Sequence, residues 1–91
     1  MKNITDLSDE EIEEIYRKFF YQEDETDEVW VYRTGYGTVE IGQDNNIGMG
    51  VVMSENGSIY FYCNDNGEIY DGEEIAACIK YLKSIGIYPF A

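Results

Sequence analysis

Hydrophobic residues recur at helical spacing near both ends of the chain and alternate with polar ones between. Ile12, Ile15, Tyr16, Phe19 and Phe20 fall at i, i+3, i+4, i+7 and i+8, one apolar stripe. The spacing predicts a helix from Ser8 to near Tyr21. Ser8 with Glu11 makes a capping box, and Leu7 with Ile12 makes a hydrophobic staple. Asp9, Glu10 and Glu11 put negative charge at the positive end of the helix dipole. Glu13 to Arg17 and Glu14 to Lys18 are i,i+4 pairs in the favourable order. A second stripe runs through Ile75, Cys78, Ile79 and Leu82, with Ile85 at its edge. Asp71 and Glu74 would cap it, and Tyr70 and Ile75 would staple it. Lys80 and Lys83 suit its negative end, Gly86 reads as the residue past the last turn, Ile87 folds back on Leu82, and Pro89 blocks continuation.

Between the helices the period falls to two. Val29 to Arg33 is a run of β-formers that stops at the turn Gly35-Tyr36-Gly37. Thr38 to Ile41 alternates and stops in Gly42 to Asn46. Met49 to Ser54 and Ser58 to Cys63 flank Asn56-Gly57, a signal for a two-residue hairpin of the I′ type. Asn66-Gly67 repeats the signal and predicts a short fifth strand, Glu68 to Tyr70. The expected order is α-β-β-β-β-β-α. This is a two-layer α+β domain over 1–91, an antiparallel β-meander of four to five strands with an N-terminal and a C-terminal helix.

Two helices can cover only one face of such a sheet. Alternation turns Val29, Val31, Val39, Ile41, Ile59, Phe61 and Cys63 toward them. Trp30, Tyr32, Tyr60 and Tyr62 then face away, with Glu40 and either Tyr36 or Tyr70 nearby. That second face can be closed by its own aromatics, by the C-terminal tail from Tyr88 to Ala91, or by a partner, since Trp and Tyr are enriched at interface centres.

Charge changes the picture more than composition does. Nineteen Asp and Glu against six Lys and Arg give −13, without a single histidine. From Asp6 to Glu28 there are eleven carboxylates and only Arg17 and Lys18, a net −9 in 23 residues. Such a balance disfavours direct binding of nucleic acid or an anionic membrane, which need cationic side chains. A body of this mass is roughly 30 Å across, and B-DNA carries about 18 charges over that length. The chain lies within a factor of two of that density.

Catalytic signals are missing. Without histidine there is no triad-type nucleophile, and no carboxylate pair stands out. Asn64-Asp65-Asn66-Gly67 with Glu73 resembles part of a calcium loop, but Tyr62 occupies the position where the loop needs Asp. Gly35-Tyr36-Gly37 and Gly48-Met49-Gly50 lack the helix and lysine of a phosphate loop and read as turns or bulges. Cys63 and Cys78 read as reduced, buried small hydrophobes. No enzyme activity, cofactor or metal is expected. No apolar stretch follows Lys2 and the longest apolar run, Ile75 to Ile79, is five residues, so neither a signal peptide nor a membrane span is expected and the cytoplasm is the expected compartment.

A short, histidine-free, strongly acidic α+β chain with outward aromatics resembles the small phage-encoded inhibitors of nucleic-acid-acting defence systems, the anti-CRISPR and anti-restriction DNA mimics. The resemblance is one of size and composition, so it transfers no residue. It implies a phage protein acting in the host cytoplasm as an enzyme inhibitor, by protein–protein interaction with a basic nucleic-acid-binding partner such as a CRISPR effector, restriction enzyme or nuclease. Nuclease immunity proteins and barstar-like antitoxins are similar in the same respects, and an interaction module unrelated to nucleic acid stays open. The candidate partner surface is Glu10, Glu13, Glu14, Glu23, Asp24, Glu25, Asp27 and Glu28 for charge, with Trp30, Tyr32, Tyr36, Tyr60 and Tyr62 as anchors.

Overall fold

Local sequence signals and long-range strand pairing agree over most of the chain. The computed structural model describes residues 2–43, 49–63, 67–69 and 72–91. A 3-10 turn at Ile4–Asp6 leads into helix α1, Asp9–Phe19. Strands β1 Trp30–Arg33, β2 Thr38–Gly42, β3 Met49–Ser54 and β4 Ile59–Cys63 follow, then the short β5 Gly67–Ile69 and helix α2, Glu73–Ser84. Every neighbouring strand pair is antiparallel and spatial order equals sequence order, so the sheet is a meander with β1 and β5 at its edges. The α+β class is the one the hydrophobic periods predict.

The caps explain where the helices start and stop. Ser8 Oγ accepts from the Glu11 N–H at 3.1 Å, and the Glu11 carboxylate accepts from the Ser8 N–H at 2.9 Å. Those two bonds hold the Glu11 carboxyl below the usual carboxylate range. A second capping box precedes it, between Asn3 and Asp6, and shapes the 3-10 turn. Helix α1 ends two residues before Tyr21 because Phe20 leaves helical geometry, at φ −124° and ψ −7°, to enter the core. There it meets Phe61 edge-on at 5.7 Å between ring centroids. At the end of α2 the Ile87 N–H donates to Leu82 O at 3.0 Å and the Gly86 N–H to Lys83 O at 3.2 Å. This is the Schellman pattern, and Ile87 is buried as the pattern requires. The start of α2 differs from expectation: Gly72 occupies the N-cap and supplies no side-chain bond. Tyr70 and Asp71, the expected staple and cap, lie outside the described residues, as do Gly48 and the turn residues 64–66.

One hydrophobic cluster fills the space between sheet and helices. It joins Ile4, Leu7, Ile12, Ile15, Tyr16 and Phe20 to Val39, Ile41, Val51, Met53 and Ile59, and to Ile75, Cys78, Leu82 and Ile87. Val29, Val31, Phe61 and Ile79 pack against it, as alternation and helical spacing predict. Phe90 packs there too, so this residue of the C-terminal tail joins the helix side of the sheet. The Tyr88 N–H donates to Lys2 O at 2.8 Å, tying the tail to the N-terminal segment.

Two local expectations change. The β3–β4 connection is not a two-residue I′ hairpin: no residue other than glycine has positive φ among those described, and Gly57 alone is left-handed at +97°. The Gly57 N–H donates to Ser54 O and the Ser54 N–H to Ser58 O, giving a three-residue loop closed by a bulge glycine. Of the two readings that cover Gly50, a turn or bulge and part of the strand Met49 to Ser54, the strand holds: it lies inside β3, opposite Tyr62. A Cβ there would collide with the Ile41 carbonyl and come within 3.2 Å of the Trp30 indole.

Core depth predicts the mutational response. Leu82 is fully buried while Phe19 is only partly so. Leu82→Ala should cost about 2–5 kcal/mol in urea unfolding and Phe19→Ala clearly less.

Candidate functional site

The acidic segment after α1 is held by one buried amide. Gln43 continues the inward alternation of Val39 and Ile41 and is only 4% exposed. Its Oε1 accepts from the Tyr16 hydroxyl at 2.9 Å and the Gln22 N–H at 2.7 Å. Its Nε2 donates to Gln22 O at 2.8 Å and Thr26 O at 3.0 Å, and its own carbonyl accepts from the Thr26 hydroxyl. Two donors at the oxygen and two carbonyls at the nitrogen settle the orientation of the amide. Residues 22–28 therefore lie exposed yet pinned at both Gln22 and Thr26. Asp27 adds a second hold: its carboxylate accepts from the Tyr21 hydroxyl at 2.6 Å and its carbonyl accepts from Arg17 at 2.8 Å. The bond to Asp27 raises the Tyr21 phenol above its ordinary range.

Arg33 fixes the acidic start of α1 against the sheet in the same way. It continues the inward series Val29, Val31, and its guanidinium donates to Asp9 Oδ1 at 2.9 and 3.1 Å, Thr5 O at 3.0 Å and Leu7 O at 2.6 Å. Sequence reading passed over both Gln43 and Arg33, although the alternation that placed their neighbours inward was the signal for both.

The eight candidate carboxylates do not form one patch. Glu10 and Glu13, with Asp9, border a small groove against Val29 and Val31 beside edge strand β1. Exposed Glu23, Asp24, Glu25, Asp27 and Glu28 lie in the segment that leads into that strand. Glu14, one turn after Glu10 on α1, also lines a cavity of about 640 Å³ between the helices, together with Lys2, Arg17 and Lys18. Lys18, expected to pair with Glu14, lies 5.1 Å from the Tyr81 ring centroid. Glu13 does meet Arg17, at 3.8 Å.

The aromatic candidates lie on the sheet face away from the helices. Registers put Trp30 opposite Gly42 and Tyr62 opposite Gly50, one rung of that face. The next rung reads Tyr32, Glu40, Val52, Tyr60 across four strands. Gly50 leaves the space in which the Trp30 ring lies. Trp30 Nε1 is buried and, among the described residues, has no hydrogen-bond partner. Val52 is buried at 4% although it belongs to no part of the main cluster, so its neighbours on this face close over it. Tyr32 is half-exposed, and Tyr36, on the β1–β2 turn, is 90% exposed and away from both rungs. Glu40 is partly desolvated on this face, which raises its carboxyl above the ordinary range.

Chemistry of other kinds has little support. Among the described residues no group of three or more Cys, Asp or Glu side chains is placed to hold a metal. Burial pushes the Cys78 thiol up to about 12, so it stays protonated and inert at neutral pH. The Cys63 side chain and the calcium-like segment 64–66 lie outside the described residues. No described helix is long and apolar enough to cross a membrane. No family model, curated protein or solved structure matches the chain.

Two outcomes test the site. Gln43→Leu strands the groups around the buried amide and should cost at least about 1–3 kcal/mol, with amide exchange at 22–28 rising first. Glu40→Gln should act oppositely. A raised folded-state value means ionisation opposes folding, so the penalty is absent below the ordinary carboxylate value and full above the raised one. Thermal melting should show the Gln variant more stable than wild type at pH 7 and equal to it near pH 3.

Proposed function

We propose that the chain is an acidic protein inhibitor that occupies the nucleic-acid site of a basic partner, in the manner of the anti-CRISPR and anti-restriction DNA mimics. The observation that carries the reading is the pinned acidic edge. Asp9, Glu10 and Glu13 border β1 on the helix side, and the exposed carboxylates of 22–28 precede it, held by Gln43, Arg17 and Tyr21. Solubility alone needs net charge but no fixed geometry. Here carboxylates are concentrated on a body of 33 × 25 × 24 Å and part of them are held in place by buried or charge-assisted bonds. The radius of gyration, 12.2 Å, equals the roughly 12 Å expected for a compact chain of this length.

The mechanism is competition, in the cytoplasm of a bacterial host. The field of the acidic edge draws a cationic channel to it and speeds encounter. Exposed ion pairs contribute only about 0–1 kcal/mol each and are screened by salt. Desolvated anchors must then slow escape, and Trp30 and Tyr32 on the edge strand, with Tyr60 three strands further across the sheet, supply them.

The test is capture of a basic protein on the immobilised chain at low salt, followed by displacement of labelled nucleic acid from the captured protein. Release of nucleic acid in proportion to the chain added supports the reading; a captured protein that keeps its nucleic acid overturns it. A toxin nuclease as the captured protein would make the chain an immunity protein. Neutralising Glu23, Asp24, Glu25 and Asp27 together should slow association and flatten its salt dependence. A folded Tyr60→Ala variant should instead dissociate faster, losing about 2 kcal/mol or more.

A further inference from the structure

The outer sheet face carries a carboxylate surrounded by aromatic rungs, with no cation to meet it. Glu40 lies opposite Tyr32 on one side and Val52 on the other, and Val52 lies opposite Tyr60. Opposed residues on one face have Cβ atoms roughly 4.5–5.5 Å apart, and diagonal ones roughly 7–8 Å, within reach of aromatic rings. Trp30 is the diagonal neighbour on the next rung. Among the described residues, no hydrogen bond or ion pair reaches the Glu40 carboxylate.

The chain's own cations lie on other elements or on the opposite face of the sheet. Arg33, the residue after Tyr32, turns to the opposite face, where Asp9, Thr5 and Leu7 take its donors. Lys2, Arg17 and Lys18 line the cavity between the helices. Lys80 and Lys83 belong to α2, whose buried side chains lie in the main core. A glutamate beside a buried valine opposes folding when ionised, and a neutral polar residue would not. Its unmet charge complements a cation from outside.

We propose that this face seats an arginine side chain of the partner, its guanidinium paired with the Glu40 carboxylate and its plane lying on the aromatic surface of Tyr32 and Trp30, the opposed and diagonal neighbours on β1. Arginine fits better than lysine. Its planar fork matches both carboxylate oxygens, it stacks on aromatic rings, and it is more weakly hydrated than an ammonium. The inference rests on the inhibitor reading, because a protein surface built to hold phosphates is rich in arginine. It adds a short-range contact to the long-range attraction of the acidic edge.

The probe is the capped peptide Gly-Arg-Gly, with lysine and citrulline peptides as controls, titrated into the full chain. Trp30 is the only tryptophan, so its fluorescence reports on this face, and amide shifts map the site. The arginine peptide should quench Trp30 and move the amides of Tyr32, Glu40, Val52 and Tyr60. Lysine should bind more weakly and citrulline not at all. Glu40→Gln, isosteric and expected to be stable, should weaken arginine binding about tenfold. Neutralising Glu23, Asp24, Glu25 and Asp27 together should leave the shift pattern in place. Shifts confined to 22–28 and α1, or an unchanged affinity in folded Glu40→Gln, would overturn the proposal. A flat titration would also overturn it, and would leave the inhibitor reading to the displacement assay, which needs no arginine at this position.

Discussion

The side-chain amide of Gln43 is the point on which the acidic loop depends. A loop carrying five carboxylates between residues 22 and 28 has no apolar face to bury and strong internal repulsion, so propensity and packing cannot order it. Four hydrogen bonds to one buried amide do so instead, and they reach back to Tyr16 on α1 as well. The bond to Tyr16 is buried and the other three are partly so, which strengthens them and makes the loss of the amide costly. The helix, the end of β2 and the acidic loop are thus a single unit. Arg33 plays the matching part at the opposite end of β1, where it ties the 3-10 turn and the first turn of α1 to the strand.

The sheet has two unlike faces, and they contribute differently to stability. On the helix side, branched and aromatic side chains interlock into one cluster and account for folding. On the other side two groups work against folding in small ways: an indole N–H without an acceptor among the described residues and a carboxylate held partly out of water. Buried polar groups are normally satisfied, and exceptions tend to mark places where something else selects the residue. Gly50 belongs to the same arrangement, because a side chain at that position would deny the Trp30 ring its place.

Much of this was legible in the sequence. Helix starts and stops depend on neighbours three or four residues away, so Ser8 with Glu11, and Gly86 with Ile87, could be read directly. The inward and outward sets followed from alternation. Less legible were features set by residues distant in sequence. The loop at Asn56-Gly57 looks like a two-residue turn, yet strand register keeps Asn56 at ordinary φ and makes Gly57 a bulge. Gly50 looks like a turn residue until Trp30 is placed against it. Gln43 and Arg33 were hidden by the assumption that polar residues face water.

Edge strand β1 raises a problem of a different kind. An unpaired strand edge offers its backbone to any other strand, another copy of the same chain included. In this molecule the edge is bordered by Asp9, Glu10 and Glu13 and preceded by the acidic loop, so two copies approaching edge to edge bring like charges together before any backbone bond can form. The barrier depends on ionisation and fades near the isoelectric point, about pH 4.1, where the strand stays but the net repulsion is gone. The acidic border of this strand is therefore a sorting device, one that turns away its own duplicate.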